Sequence, residues 1–157
     1  MTLNQNYNTL RTGGQIGVLL HQPTDMNTYM SDWLFKYRGF AFASEFLYRT
    51  SVNPLTFNEE NEVRYVYNGL GQNFQASYLL PSNFEFAGRY TRLNPGRQIR
   101  LYELEVQHFT AGLTRYLRGH RFKLQSDVTY ELMGAYGEGT HPARNNVIWR
   151  FQVELGI

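Results

Sequence analysis

Residues 145–157 read NNVIWRFQVELGI, and their alternation sets the fold class. From Val147 every second residue is apolar: Val147, Trp149, Phe151, Val153, Leu155 and Ile157. The residues between them are Ile148, Arg150, Gln152, Glu154 and Gly156, with only Ile148 breaking the polar series. Six apolar residues in alternate places would arise by chance about 0.5% of the time in a chain of this composition. A period of two is that of a β-strand whose two faces meet different media.

The same period recurs toward the N-terminus. Phe122, Leu124, Val128, Tyr130 and Leu132 alternate with polar residues, Ser126 being the one small polar residue in the series. Phe84, Phe86, Gly88 and Tyr90 form another such set, as do Phe74, Ala76, Tyr78 and Leu80. Two further sets are Phe40, Phe42, Ser44, Phe46 and Tyr48, then Trp33, Phe35 and Tyr37. Ile16, Val18 and Leu20 alternate more weakly. The segment LEVQHFTAGLTRYL (104–117) supplies one more strand, but its phase slips between Val106 and Phe109, which leaves its register open. The total is about eight strands, with no helical period anywhere. The expected fold is all-β: an antiparallel up-and-down transmembrane β-barrel in a single domain spanning 1–157.

The connections carry the sidedness. YRGF (37–40), LPSNF (80–84) and LRGHR (117–121) are tight turns, with Gly, Pro or Asn where the chain reverses. Between them run long polar connections: HQPTDMNTYMS, SVNPLTFNEENEVRYVYNGLG, NPGRQIRLY and MGAYGEGTHPARNN. Short and long connections alternate, so a meander gathers the turns at one end and the loops at the other. Short turns on one side, long loops on the other and an even strand number are features of outer-membrane barrels. Strands of about ten residues, tilted by about 40°, span an apolar band of about 25 Å.

Composition agrees with one apolar surface on an otherwise polar chain. Aromatics reach 16%, with 12 Tyr and 11 Phe, although the mean hydropathy is −0.48. Trp33, Tyr37, Tyr48, Tyr90, Tyr130 and Trp149 are expected near strand ends, where rings with a polar edge suit the membrane boundary. The net charge of +2 gives no indication of a nucleic-acid partner. There is no cysteine, hence no disulfide framework and no thiolate metal site. No window has the roughly 20 apolar residues of a membrane helix. The stretch MTLNQNYNTLRTGG lacks a basic segment and an apolar core, so a signal peptide is expected to be absent or already removed.

A soluble barrel or sandwich binding a lipophilic ligand also alternates, with its apolar face turned inward. Loop asymmetry and charge placement favour the membrane alternative. Charged residues within the strands keep to the non-aromatic face, with Arg115 the possible exception. An arginine facing lipid at the midplane costs about 2–4 kcal/mol.

Three hairpins resemble a known family. DWLFKYRGFAFASEFLYR (32–49), GQNFQASYLLPSNFEFAGRYTRLNP (71–95) and HFTAGLTRYLRGHRFKLQSDVTYE (108–131) look like the C-terminal half of porins of the phosphate-selective O and P family. The resemblance runs from about Gly13 to Ile157 and is most specific in the last hairpin. It implies a channel in the bacterial outer membrane, surrounded by lipid and lipopolysaccharide, and trimeric assembly. It also implies recognition of the C-terminal strand by the barrel-assembly machinery, although Ile157 is apolar rather than aromatic. Family members have sixteen strands, so this chain is expected to be half of a porin or a small related barrel.

The expected pore-lining residues come from the alternation: Lys36, Arg38, Glu45, Arg49, Glu85, Arg89, Lys123, Asp127, Arg150 and Glu154. This set mixes both signs and does not support phosphate as the substrate. The expected activity is passive diffusion of small polar or anionic solutes, without cofactor, metal or catalysis. An eight-stranded barrel that closes on itself would instead be filled by side chains and act as a scaffold or adhesion protein.

Enzymatic signals are weak. His21, His108, His120 and His141 have no metal-ligand spacing. Glu138, Thr140 and His141 lie in a long loop without a nameable base or nucleophile partner. Ser44 and Ser126 fall on the expected lipid face, where they read as small residues on a packed surface. NGLGQ lacks the strand–helix setting of a nucleotide loop.

Overall fold

The structure, a computed structural model, describes residues 25–57, 63–117, 122–135 and 142–156. The strands are β1 (Met26–Tyr37), β2 (Phe40–Ser51), β3 (Leu55–Phe57), β4 (Val63–Tyr65), β5 (Gly69–Leu79), β6 (Phe84–Pro95), β7 (Val106–Tyr116), β8 (Phe122–Met133) and β9 (Arg144–Leu155). Seven form one antiparallel sheet in the order β1-β2-β5-β6-β7-β8-β9, while β3 and β4 make a separate two-stranded ribbon. The expected strand around Ile16–Leu20 and the last residue, Ile157, lie outside the described residues. No helix among the described residues is long and apolar enough to cross a membrane, which has no bearing on crossing with strands.

Every in-sheet neighbour is also a sequence neighbour apart from the β3–β4 excursion, so the sheet is an up-and-down meander. Arg38 and Gly39 make the two-residue link from β1 to β2 with φ of 45° and 86°. Positive φ at both places suits the right-handed twist of a hairpin. Gly39 is required there, since a Cβ would stand 2.7 Å from the Leu79 carbonyl oxygen. This turn and the connections at 80–83 and 117–121 share one end of the sheet. The connections at 52–68, 96–105 and 134–143 share the other, as the alternation of short and long links requires.

The strand ends climb across the sheet. Met26 opens β1, but the row of paired residues that reaches Arg144, the first residue of β9, leaves β1 at Met30, four residues further along. That is about 13 Å of rise over about 29 Å of sheet, a strand tilt of about 25°. Seven antiparallel strands leave β1 and β9 running in the same direction. Closure into an all-antiparallel barrel therefore needs an odd number of further strands.

Three features depart from the sequence expectations. β1 begins at Met26, so MNTYMS belongs to a strand rather than to a connection. This places Trp33 well inside β1, where it shares a row with Phe74, Tyr90, Phe109 and Tyr130, so the rings spread over the face instead of marking its ends. The 51–71 connection carries the β3–β4 ribbon, and the 94–102 connection a 3₁₀ turn at Arg97–Ile99.

The packed apolar centre of the described residues lies in these two connections rather than in the sheet. Ile99 is fully buried and Val66 nearly so, the only buried hydrophobic residues among those described. Tyr65 stacks on Tyr102 with ring centroids 5.8 Å apart and donates to Glu103 Oε1 at 2.7 Å. The Gly96 amide donates to the Asn68 carbonyl at 2.8 Å, and a Cβ on Gly96 would lie 2.4 Å from Asn68 Oδ1. Across the sheet, by contrast, large side chains stand open: Trp149 is 75% exposed, Leu155 72% and Trp33 70%. A single sheet with both faces uncovered has no hydrophobic core of its own.

Candidate pore-lining face

The register sorts the residues of all seven strands onto two faces. One face holds the row Phe35, Phe42, Ala76, Gly88, Ala111, Val128, Trp149, and beside it Tyr37, Phe40, Tyr78, Phe86, Leu113, Ser126, Phe151. The other holds Asp32, Glu45, Asn73, Thr91, His108, Glu131, Asn146, then Leu34, Ala43, Gln75, Arg89, Thr110, Thr129, Ile148, and beyond them Lys36, Ala41, Ser77, Ala87, Gly112, Asp127, Arg150. β7, whose phase was open in the sequence, now has Phe109, Ala111 and Leu113 on the apolar face and His108, Thr110 and Thr114 on the polar one. Val106 is the residue out of step, an apolar side chain on the polar face.

Nine of the ten sequence-derived residues share the polar face: Lys36, Glu45, Arg49, Glu85, Arg89, Lys123, Asp127, Arg150 and Glu154. Arg38 does not. It occupies the β1–β2 turn, with its guanidinium carbon 5.3 Å from the centroid of the Tyr37 ring.

Many of these side chains are tied across strands. Arg150 reaches Asp127 at 2.8 Å and donates to Thr129 Oγ1 at 3.2 Å. Lys123 meets Glu154 at 2.9 Å. Tyr116 donates to Glu85 at 2.5 Å, Arg49 to Thr28 at 3.0 Å and Asn73 to Glu45 at 3.1 Å. Pairs this exposed are worth about 0.2–1 kcal/mol each and do more to align strands than to hold them together. Lys36 and Arg89 have no ion-pair or hydrogen-bond partner among the described residues.

A second group shares this face without having been singled out as pore-lining: Asp32, Asn73, Thr91, Thr129 and Glu131, which already alternate as polar residues in the sequence, and His108, Thr110 and Tyr116, whose strand had its register open. His108 Nε2 lies 2.6 Å from Glu131 Oε2, and the hydroxyls of Thr110 and Thr129 are 2.8 Å apart. A signal was available for His108 and Thr110, the two of them in the first half of β7. Counting from Phe109 rather than Val106 puts every polar residue from His108 to Thr114 in phase.

Both indoles of the apolar face find an acceptor on that face. Trp149 Nε1 donates to Ser126 Oγ at 2.7 Å, and Trp33 Nε1 to Ser31 Oγ at 3.1 Å. Arg115 is on this face, at the turn end, where it covers the Phe84 ring at 4.1 Å and donates to the Ser82 carbonyl. Arg92 is a second charge on it, at the loop end, held by Glu105 at 2.7 Å; Gln107 links Glu105 to the Tyr90 hydroxyl. Both arginines lie at borders of the apolar band, where a charged head can leave hydrocarbon.

Glu138, Thr140, His141, His21 and His120 lie outside the described residues. Among the described residues no group of three or more His, Cys, Asp or Glu side chains could hold a metal ion. Comparison with protein-family models, with curated proteins and with solved structures finds no match.

Proposed function

We propose that this chain forms part of the wall of an outer-membrane-type β-barrel pore, with its aromatic face toward lipid and its polar face toward a water-filled lumen. One observation carries this reading. A single meander of seven strands separates its side chains, in continuous register, into an apolar and a polar face, and no described element covers either face. Burial against a second layer would require a partner for the aromatic face; a bilayer supplies that partner without one. The gathering of short turns at one end and of folded connections at the other gives the sheet the sidedness of such barrels. The hairpin resemblance to the phosphate-selective porin family points the same way.

In this reading the function is passive diffusion of small polar solutes, and the chain works by positioning charges rather than by catalysis. The lumen-facing residues are the nine charged candidates on the polar face together with the eight further polar residues that share it. A closed barrel of eight strands is filled by its own side chains, whereas sixteen leave an aqueous channel. The pore therefore requires strands beyond the seven described.

Conductance across planar bilayers tests the proposal. Protein refolded in detergent and added to one chamber is expected to give stepwise, salt-proportional currents. Protein that inserts and shifts on gels between boiled and unboiled samples, yet passes no current, would support a plugged scaffold instead.

A further inference from the structure

The polar face is not polar throughout. One level on from Thr28, Arg49, Gly69 and Pro95 at the end nearest the long connections, Met30, Leu47, Gly71, Leu93, Val106 and Met133 follow one another across six strands. The next level opens with Asp32, Glu45 and Asn73 on β1, β2 and β5. Between the two levels lies an open cavity of about 350 Å³, walled by Met30, Leu47, Gly71, Asp32, Glu45 and Asn73 and floored by Ser31, Phe46 and Gln72, with its β1 and β2 residues exposed. Volumes of this order hold small organic ligands.

Gly71 keeps the cavity open. A Cβ there would touch Leu93 Cδ2 at 3.5 Å and Leu47 Cβ at 3.8 Å. A longer side chain would occupy the space itself.

The charge on its border has one sign. Asp32 and Glu45 are directly opposite in the β1–β2 register, an arrangement of like charges that weakens a strand pair unless something lies between them. Asp32 has no hydrogen-bond or ion-pair partner among the described residues, and the one contact shown for Glu45 is with the uncharged Asn73 amide. The bases of this face are placed elsewhere. Arg49 is turned to Thr28, Lys123 and Arg150 are held by Glu154 and Asp127, and Arg89 and Lys36 stand at other levels.

We propose that this cavity binds an organic cation with an apolar body, its ammonium or amidinium group between Asp32 and Glu45 and its hydrocarbon part against Met30 and Leu47. Two carboxylates beside an apolar wall suit such a group better than an inorganic ion, which needs oxygen ligands on all sides. This rests on the reading of the polar face as a solute path. The cavity borders the loop end, so cations of this class would meet it on entering from that side.

Calorimetric titration of the full chain, refolded in a non-ionic detergent, with benzyltrimethylammonium tests the site, with benzoate as the control of like body and opposite charge. Saturable uptake of one cation per chain is expected, about tenfold weaker in the nearly isosteric D32N/E45Q double variant. Uptake should be lost in Gly71→Leu, and benzoate should not bind. No uptake, equal uptake of benzoate, or unchanged affinity in the double variant would overturn the inference. The same cation should reduce the bilayer current when added from the loop side. Current without cation uptake sinks the site and leaves the pore; uptake without current sinks the pore and leaves the site.

Discussion

The indole of Trp149 and the hydroxyl of Ser126 form a cross-strand pair 2.7 Å apart on the apolar face, between β9 and β8. The indole has one polar atom, Nε1, and Ser126 Oγ accepts its hydrogen bond. The only small polar residue in the apolar series of its strand is thereby explained as a partner rather than as a gap. Ser126→Ala is expected to destabilise the bilayer-inserted protein by about 1–2 kcal/mol, and Ser126→Thr by less. Denaturant titration of the Trp fluorescence in vesicles would read both. No difference between them would mean that the indole finds another acceptor.

Val128 stands in the middle of the apolar face, between Ala111 and Trp149, while Gln125 stands on the polar face between Thr114 and Gln152. Val128→Arg should cost about 2–4 kcal/mol in refolding into bilayers, against less than about 1 kcal/mol for Gln125→Arg. Equal penalties would contradict the assignment of the faces. In aqueous urea without lipid the contrast should vanish.

The chain has no cysteine, so single thiols can be introduced as reporters. Thr110 and Ala111 are sequence neighbours on opposite faces of β7. In liposomes, Thr110→Cys is expected to react with a membrane-impermeant maleimide and Ala111→Cys to remain unlabelled. Labelling in the reverse order would place the polar face toward lipid.

Gly96 lies against Asn68 where the 52–68 and 96–105 connections lock together. Gly96→Ala must push the Asn68 side chain aside and loosen the contacts around Ile99. Limited proteolysis should then cut within these connections at least several-fold faster, while the strand signature in circular dichroism stays unchanged. Loss of the strand signature as well would mean that the sheet depends on its loops.

How much of this was legible in the sequence depends on how different the two faces are. In β8 and β9 aromatic and aliphatic residues alternate with charges, and the strands stand out from the period alone. In the first half of β1 the contrast fades, because Tyr29 and Met30 are both large and face opposite ways while their neighbours are all polar. The start at Met26 was therefore invisible. β7 was obscured by Val106, an apolar residue on the polar face that only the pairing with Met133 identifies. Ile99 follows the polar run Asn94–Gln98 and has only Leu101 in step with it, and two residues are too few to show a period that betrays burial. Among the pore-lining candidates, Arg38 was misplaced because a positive φ in the turn takes it out of the alternation.

The odd number of strands bears on what happens when many copies share one membrane. Copies inserted with the same sidedness present a β9 edge and a β1 edge that point the same way, so joining them head to tail yields a parallel seam. An antiparallel seam between two β9 edges would require one copy to stand upside down, with its long connections on the wrong side. On the membrane reading, runaway growth of an antiparallel ribbon by self-addition is thus frustrated in the seven-strand sheet, although neither edge has a strand partner among the described residues. A bilayer, by fixing which way up each copy stands, would serve the sheet proposed above as a safeguard against polymerisation that it lacks in water.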